Sequence, residues 1–157
     1  MHPDFLALIE SMQEKFECLM ACSQIQDGLF PKTNVPKQGV YLFCENGIPL
    51  YVGRSNRLRS RYGGHCNKGS THNTAAFAMK LAREATGKMV ASYIAGKDDR
   101  KTLMLDPIFK QAFDEAKARI RKMDYRCVEE TDQTKQALLE IYCTVVLKTK
   151  YNDFDTH

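Results

Sequence analysis

GVYLFCENGIPLYVGRSNRLRSRYGGH, residues 39–65, is the stretch on which the fold turns. GVYLFC (39–44) and PLYVGR (49–54) are rich in β-branched and aromatic residues, and Asn46-Gly47 stands between them. Such runs suit a half-buried pleated surface, and Asn-Gly readily adopts the left-handed backbone of a tight hairpin turn. An antiparallel hairpin over 39–54 is the expectation. It puts Tyr41 and Tyr51 on neighbouring strands, where their side chains meet if they share a face. SNRLRSRY then has a plausible cap in Ser55 and helical spacing of its arginines, with a break expected at Gly63-Gly64.

Working outward, apolar residues recur at Phe5, Leu8, Ile9, Met12, Phe16, Leu19 and Met20, which predicts an amphipathic helix from Phe5 to about Ile25. Gly28, Pro31 and Pro36 mark a connector, and TAAFAMKLAREA (74–85) predicts a helix that stops at Gly87. Residues 88–105 carry no clear pattern. Asp106-Pro107 caps a helix whose apolar face is Phe109, Ala112, Phe113, Ala116 and Ile120, and DYRCVEE (124–130) is the best third strand. A last helix from Thr131 or Asp132 to about Lys150 is apolar on nearly every side, with Glu140 and Thr144 in a narrow gap. The fold class expected is α+β: a small three-stranded antiparallel sheet (about 39–44, 49–54 and 124–130) flanked by helices, in one domain spanning 1–157.

Charge is most informative by position. The chain holds 23 Lys and Arg against 19 Asp and Glu, net +4, yet no acid lies between Glu45 and Glu84, where seven basic residues fall. The remainder is net −3. A positive field on one segment suits a surface that meets a polyanion, although a solvated basic helix face would look the same. Six cysteines without a CxxC pair suit reduced, buried thiols. A zinc site from His65, Cys66 and His72 lacks paired-ligand spacing. No run nears the ~18 apolar residues of a membrane span, and MHPDFLALIES lacks the features of a secretory signal, so no membrane partner and a cytoplasmic location are expected. Glu140 on an apolar helix reads either as part of a thin solvated edge or as a half-buried carboxylate for a hard cation such as Mg²⁺.

Gly39-Val40-Tyr41, nine residues, Tyr51-Val52-Gly53, then Arg61, Glu140 and Asn152 in that order resemble the GIY-YIG nuclease family. Arg61 stands eight residues past Gly53, where the family has an arginine; His65 follows one helical turn on, as in homing and restriction-type members. Glu140 and Asn152 are twelve apart, the family's interval. The spacing between Arg61 and Glu140 is long, which implies a helical insertion over about 66–123, and the segment 1–30 with its N-terminal helix lies outside the resemblance.

The resemblance implies a metal-dependent DNA endonuclease using Mg²⁺ or Mn²⁺, one ion per site. Phosphodiester hydrolysis needs a deprotonated water, stabilised non-bridging oxygens and a neutralised leaving oxyanion. Tyr41 is then the base or a relay to it, with Tyr51 beside it; His65 could take the proton instead. Arg61 would grip the phosphate with its guanidinium fork, Glu140 would hold the metal, and Asn152 would orient the site. Arg54, Arg57, Arg59, Lys68 and His72 are the expected nucleic-acid contacts. Cutting both strands of a duplex calls for two sites related by a two-fold axis, hence an expected homodimer on DNA. A structure-specific repair or recombination nuclease, and a binding module that does not cut, remain as alternatives.

Overall fold

The computed structural model describes residues 1–89 and 96–154. Among them the chain is α+β, in the order α1 (Pro3–Ala21), β1 (Gly39–Glu45), β2 (Ile48–Ser55), α2 (Leu58–Cys66), α3 (Ala76–Thr86), α4 (Arg100–Leu103), α5 (Pro107–Arg121), β3 (Asp124–Glu129) and α6 (Gln133–Leu147). The chain divides into two compact units, Met1–Arg59 with Met123–His157, and Ser60–Lys122.

The first unit holds the sheet, ordered β2-β1-β3 with both pairings antiparallel. Asn46 (φ 51°) and Gly47 (φ 78°) make the expected tight turn. Val40, Leu42, Cys44, Val52 and Val128 face one side of the sheet and pack with Met12 and Leu19 of α1 and Leu139 and Cys143 of α6. Strand alternation turns Tyr41, Phe43, Tyr51 and Tyr125 to the other side. Residues outside the strands meet each sheet edge at one point by backbone hydrogen bonds. Ile25 exchanges two backbone hydrogen bonds with Tyr125 at the β3 edge, and the Tyr151 amide donates to the Leu50 carbonyl at the β2 edge. The Ile25 bridge also explains why α1 stops at Ala21 instead of running on to Ile25 as its periodicity predicts.

The second unit packs α3 on α5. Phe77, Ala78 and Leu81 of α3 and Phe109, Phe113, Ala116 and Ile120 of α5 are buried. α3 ends at left-handed Gly87 and α5 begins at Asp106, whose side chain accepts from the Ile108 amide, both as the sequence predicts. α4, in the segment without a pattern, is nucleated by Asp99, whose carboxylate accepts from the Lys101 and Thr102 amides.

Two further helices depart from expectation. α2 runs through Gly63-Gly64 to Cys66, and the Asn67 amide then closes on the Gly63 carbonyl at 2.8 Å. Glycine costs about 1 kcal/mol in a helix, and burial of Tyr62, His65 and Cys66 on the same two turns outweighs it. α6 stops at Leu147 because Lys148 turns left-handed (φ 51°), and part of its polar stripe faces inward. Gln136 and Thr144 are buried while Ile141, Val145 and Val146 are exposed. Hydrogen bonds allow this: Gln136 Nε2 donates to the Glu130 carbonyl at 2.7 Å, and Thr144 Oγ1 to the Glu140 carbonyl at 2.8 Å.

Candidate active site

The hairpin register brings the two tyrosines together. Tyr41 pairs with Gly53 and Phe43 with Tyr51, so the tyrosines are diagonal neighbours on one face, with ring centroids 6.5 Å apart. Tyr41 also stacks on Tyr125 at 5.6 Å and meets Phe43 edge-on, and only 1% of it is exposed. Tyr51 is half-buried. Both glycines of the paired motifs are sterically required. A Cβ on Gly53 would lie 2.3 Å from the Tyr41 hydroxyl, and one on Gly39 would lie 1.9 Å from the Val128 carbonyl of β3. The first glycine lets β3 close on β1; the second lets the Tyr41 phenol lie across β2.

Asn152 acts on the backbone of the same strand. Its Oδ1 accepts from the Val52 amide and its Nδ2 donates to the Val52 carbonyl, each at 2.8 Å, while Thr149 Oγ1 also donates to Oδ1 at 2.9 Å. One side-chain amide thus replaces a strand partner at the residue between Tyr51 and Gly53. Arg54 leaves β2 on the same side as Val52, and its Nε donates to Glu140 Oε2 at 3.0 Å. The phenols and the carboxylate are therefore offered from two sides of one edge strand, and a site that uses both has to be assembled around that edge. Asn56 reinforces the junction: its Oδ1 accepts from Gln133 Nε2 (2.8 Å) and Gln136 Nε2 (3.2 Å), tying the β2–α2 turn to the start of α6.

Glu140, the carboxylate expected to hold a hard cation, has a side chain 23% exposed. Among the described residues no three His, Cys, Asp or Glu side chains converge, so the zinc set of His65, Cys66 and His72 is not assembled. A single carboxylate still fits Mg²⁺, which keeps several waters and takes one or two protein carboxylates plus substrate phosphate.

Arg61 and His65 lie in the second unit. Arg61 Nη1 donates to the Thr74 carbonyl at 2.8 Å, bridging α2 to the turn before α3. His65 is fully buried, edge-on to Phe77 with centroids 6.5 Å apart. Burial, and then the Arg61 guanidinium, pull its pKa from the usual 6.5 to about 3. Neutral imidazole can accept a proton, but at that basicity with little driving force. Of the other expected contacts, Arg57 and Lys68 are exposed and His72 is half-buried. Arg59 is committed within its own unit, with Nη2 on the Pro31 carbonyl at 3.1 Å and its guanidinium 5.0 Å over the Phe30 ring.

Sequence reasoning overlooked Asn56, whose polar type at a turn gives no hint of its α6 partners. It also overlooked Lys110, Lys117 and Arg121 of α5, although their intervals of seven and four put all three on one helix face. No helix among the described residues is long and apolar enough to cross a membrane. No protein-family model, curated protein or solved structure matches the chain.

Proposed function

We propose that the protein is a metal-dependent endonuclease of the GIY-YIG type that hydrolyses DNA phosphodiester bonds. The observation that carries this reading is the hairpin register, which stacks Tyr41 across Gly53 and beside Tyr51 and so makes mechanical sense of both tripeptides. In this reading Tyr41, with Tyr51 beside it, accepts or relays the proton of the attacking water. Asn152 holds β2, and with it Tyr51, at fixed height. Arg61 binds a non-bridging phosphate oxygen in place of the Thr74 carbonyl, and Arg54 and Arg57 hold the flanking backbone. Glu140 would carry one Mg²⁺ or Mn²⁺, whose chemistry is to neutralise charge on the leaving oxygen. His65, neutral and buried, supports the helix that carries Arg61 more readily than it acts as the base. Six free cysteines, four of them buried, suit a reducing compartment, and the cytoplasm is the location proposed.

A second reading has its own observation: the Glu140 carboxylate is engaged by Arg54 and Tyr41 is buried, as in a module that binds nucleic acid without cutting. Supercoiled plasmid incubated with the protein and Mg²⁺ or Mn²⁺, with an EDTA control, separates them. Metal-dependent nicking or linearisation supports the nuclease, as either a site-specific or a structure-specific enzyme. Gel retardation without cleavage supports the binding module.

A further inference from the structure

The segment 60–122 contains 13 basic and 6 acidic residues, net +7, while the rest of the chain is net −3. All of the chain's excess positive charge therefore belongs to the second unit, most of which the nuclease reading leaves without a task. Within that unit lies a cavity of about 410 Å³ lined by Cys66, Lys68, Lys110, Asp114, Lys117, Ala118 and Arg121. That volume is within the range of small-ligand sites. Four of the lining side chains are cationic and one is anionic.

The wall is built rather than accidental. Lys117 is 4% exposed, its Nζ donates to the Lys68 and Ser70 carbonyls at 2.7 and 3.2 Å, and it pairs with Asp114 at 3.1 Å. A buried ammonium with three oxygen partners fixes the 68–70 turn against α5. Asp114 is also paired with Lys110 at 2.7 Å, so the single acid of the lining is occupied by two lysines. Lys68 and Arg121 are exposed, and the Arg121 guanidinium lies at the cavity wall, with Nη1 3.4 Å from Asn67 Oδ1 and a hydrogen bond to the Cys66 thiol. Ala118, Cys66 and the lysine stems supply the apolar part of the same lining, its floor.

We propose that this cavity is a second nucleic-acid contact, in which Lys68 and Arg121 hold the phosphate of one nucleotide of a strand and the apolar floor takes its sugar and base. Identifying the anion as a nucleotide rests on the nuclease reading; the anion site itself rests on the cavity. The contact would lengthen the footprint of a small enzyme on its substrate without adding sequence readout, since phosphate contacts position and do not specify.

The test measures binding, not cutting. A fluorescent single-stranded oligonucleotide is titrated by anisotropy at several salt concentrations with the Glu140→Gln protein and with the same protein carrying Lys68→Ala and Arg121→Ala. These changes spare the Lys68 carbonyl that anchors Lys117 and the Arg121 carbonyl that accepts from Tyr62 at 3.3 Å, so the unit keeps its fold. Losing the contact to that one phosphate should lower the slope of log affinity against log salt by about 0.7. Ala118→Phe, which fills the cavity without removing charge, should weaken binding and leave the slope unchanged. In NMR titrations the amides of Lys68, Gly69, Ser70 and Ala118 should shift with the oligonucleotide. An unchanged slope, or shifts with thymidine monophosphate or inorganic phosphate but not with the oligonucleotide, would overturn the proposal. A wild-type protein that cuts no plasmid while the slope still falls removes the nuclease reading and leaves this contact standing.

Discussion

Acidification should destabilise this protein through one histidine, and the size of the effect follows from where His65 sits. Unfolded, its imidazole titrates near the usual 6.5; folded, it is fully buried one turn from Arg61 and titrates at about 3. Between those values the unfolded chain binds the extra proton, so stability rises with pH there. The contribution is complete above about pH 6.5, falls as the pH drops below it, and is fully lost near pH 3. Each pH unit inside the window is worth about 1.4 kcal/mol, so lowering the pH from 7 to 5 costs about 2 kcal/mol from this residue alone. Carboxylates add their own acid sensitivity, which a comparison removes. Urea unfolding of wild type and His65→Gln at pH 7 and pH 5 gives four free energies, and wild type should lose about 2 kcal/mol more than the variant, whose amide cannot titrate. Equal losses in the two proteins would refute the reasoning, because they would mean that His65 charges in the native state. The same shift predicts that any cleavage activity shows no inflection near pH 6.5 belonging to His65.

Glu140→Gln should reduce plasmid cleavage by at least about 100-fold while leaving DNA affinity in EDTA within a factor of about 2; its pair with Arg54 is partly exposed, so unfolding free energy should move by less than about 1 kcal/mol. Gly53→Ala drives a methyl into the Tyr41 ring, which Phe43, Tyr51 and Tyr125 keep from moving aside, and should cost about 1–3 kcal/mol in urea unfolding; an unchanged midpoint would show that the ring can yield. Asn152→Ala removes both hydrogen bonds to Val52 and should cost about 2 kcal/mol, with faster amide exchange at Val52; exchange as slow as in wild type would mean that another group covers that edge.

The hairpin, the third strand and the cap at Asp106 were legible in the sequence because each depends on local chemistry: alternation, an Asn-Gly turn, and a carboxylate beside free amides. That Tyr41 and Tyr51 lie on neighbouring strands followed from the same locality, since a two-residue turn leaves little freedom of register. Asn152 and Glu140 entered as site candidates through an order and spacing along the chain that resemble a known family. What they touch was not legible. That Asn152 replaces a strand partner for Val52 and that Glu140 meets Arg54 depends on α6 lying beside β2, a packing between residues 86 to 100 apart that no local rule encodes. The inward turn of Gln136 and Thr144 on α6 had the same origin: a sequence shows which residues are polar, but only tertiary structure supplies the hydrogen-bond partners that let polar groups be buried. His65 makes the point most sharply. Its identity and its distance from Arg61 are written in the chain, while its neutrality comes from burial, because removing water raises the energy of the charged form and the fold alone decides where water cannot reach.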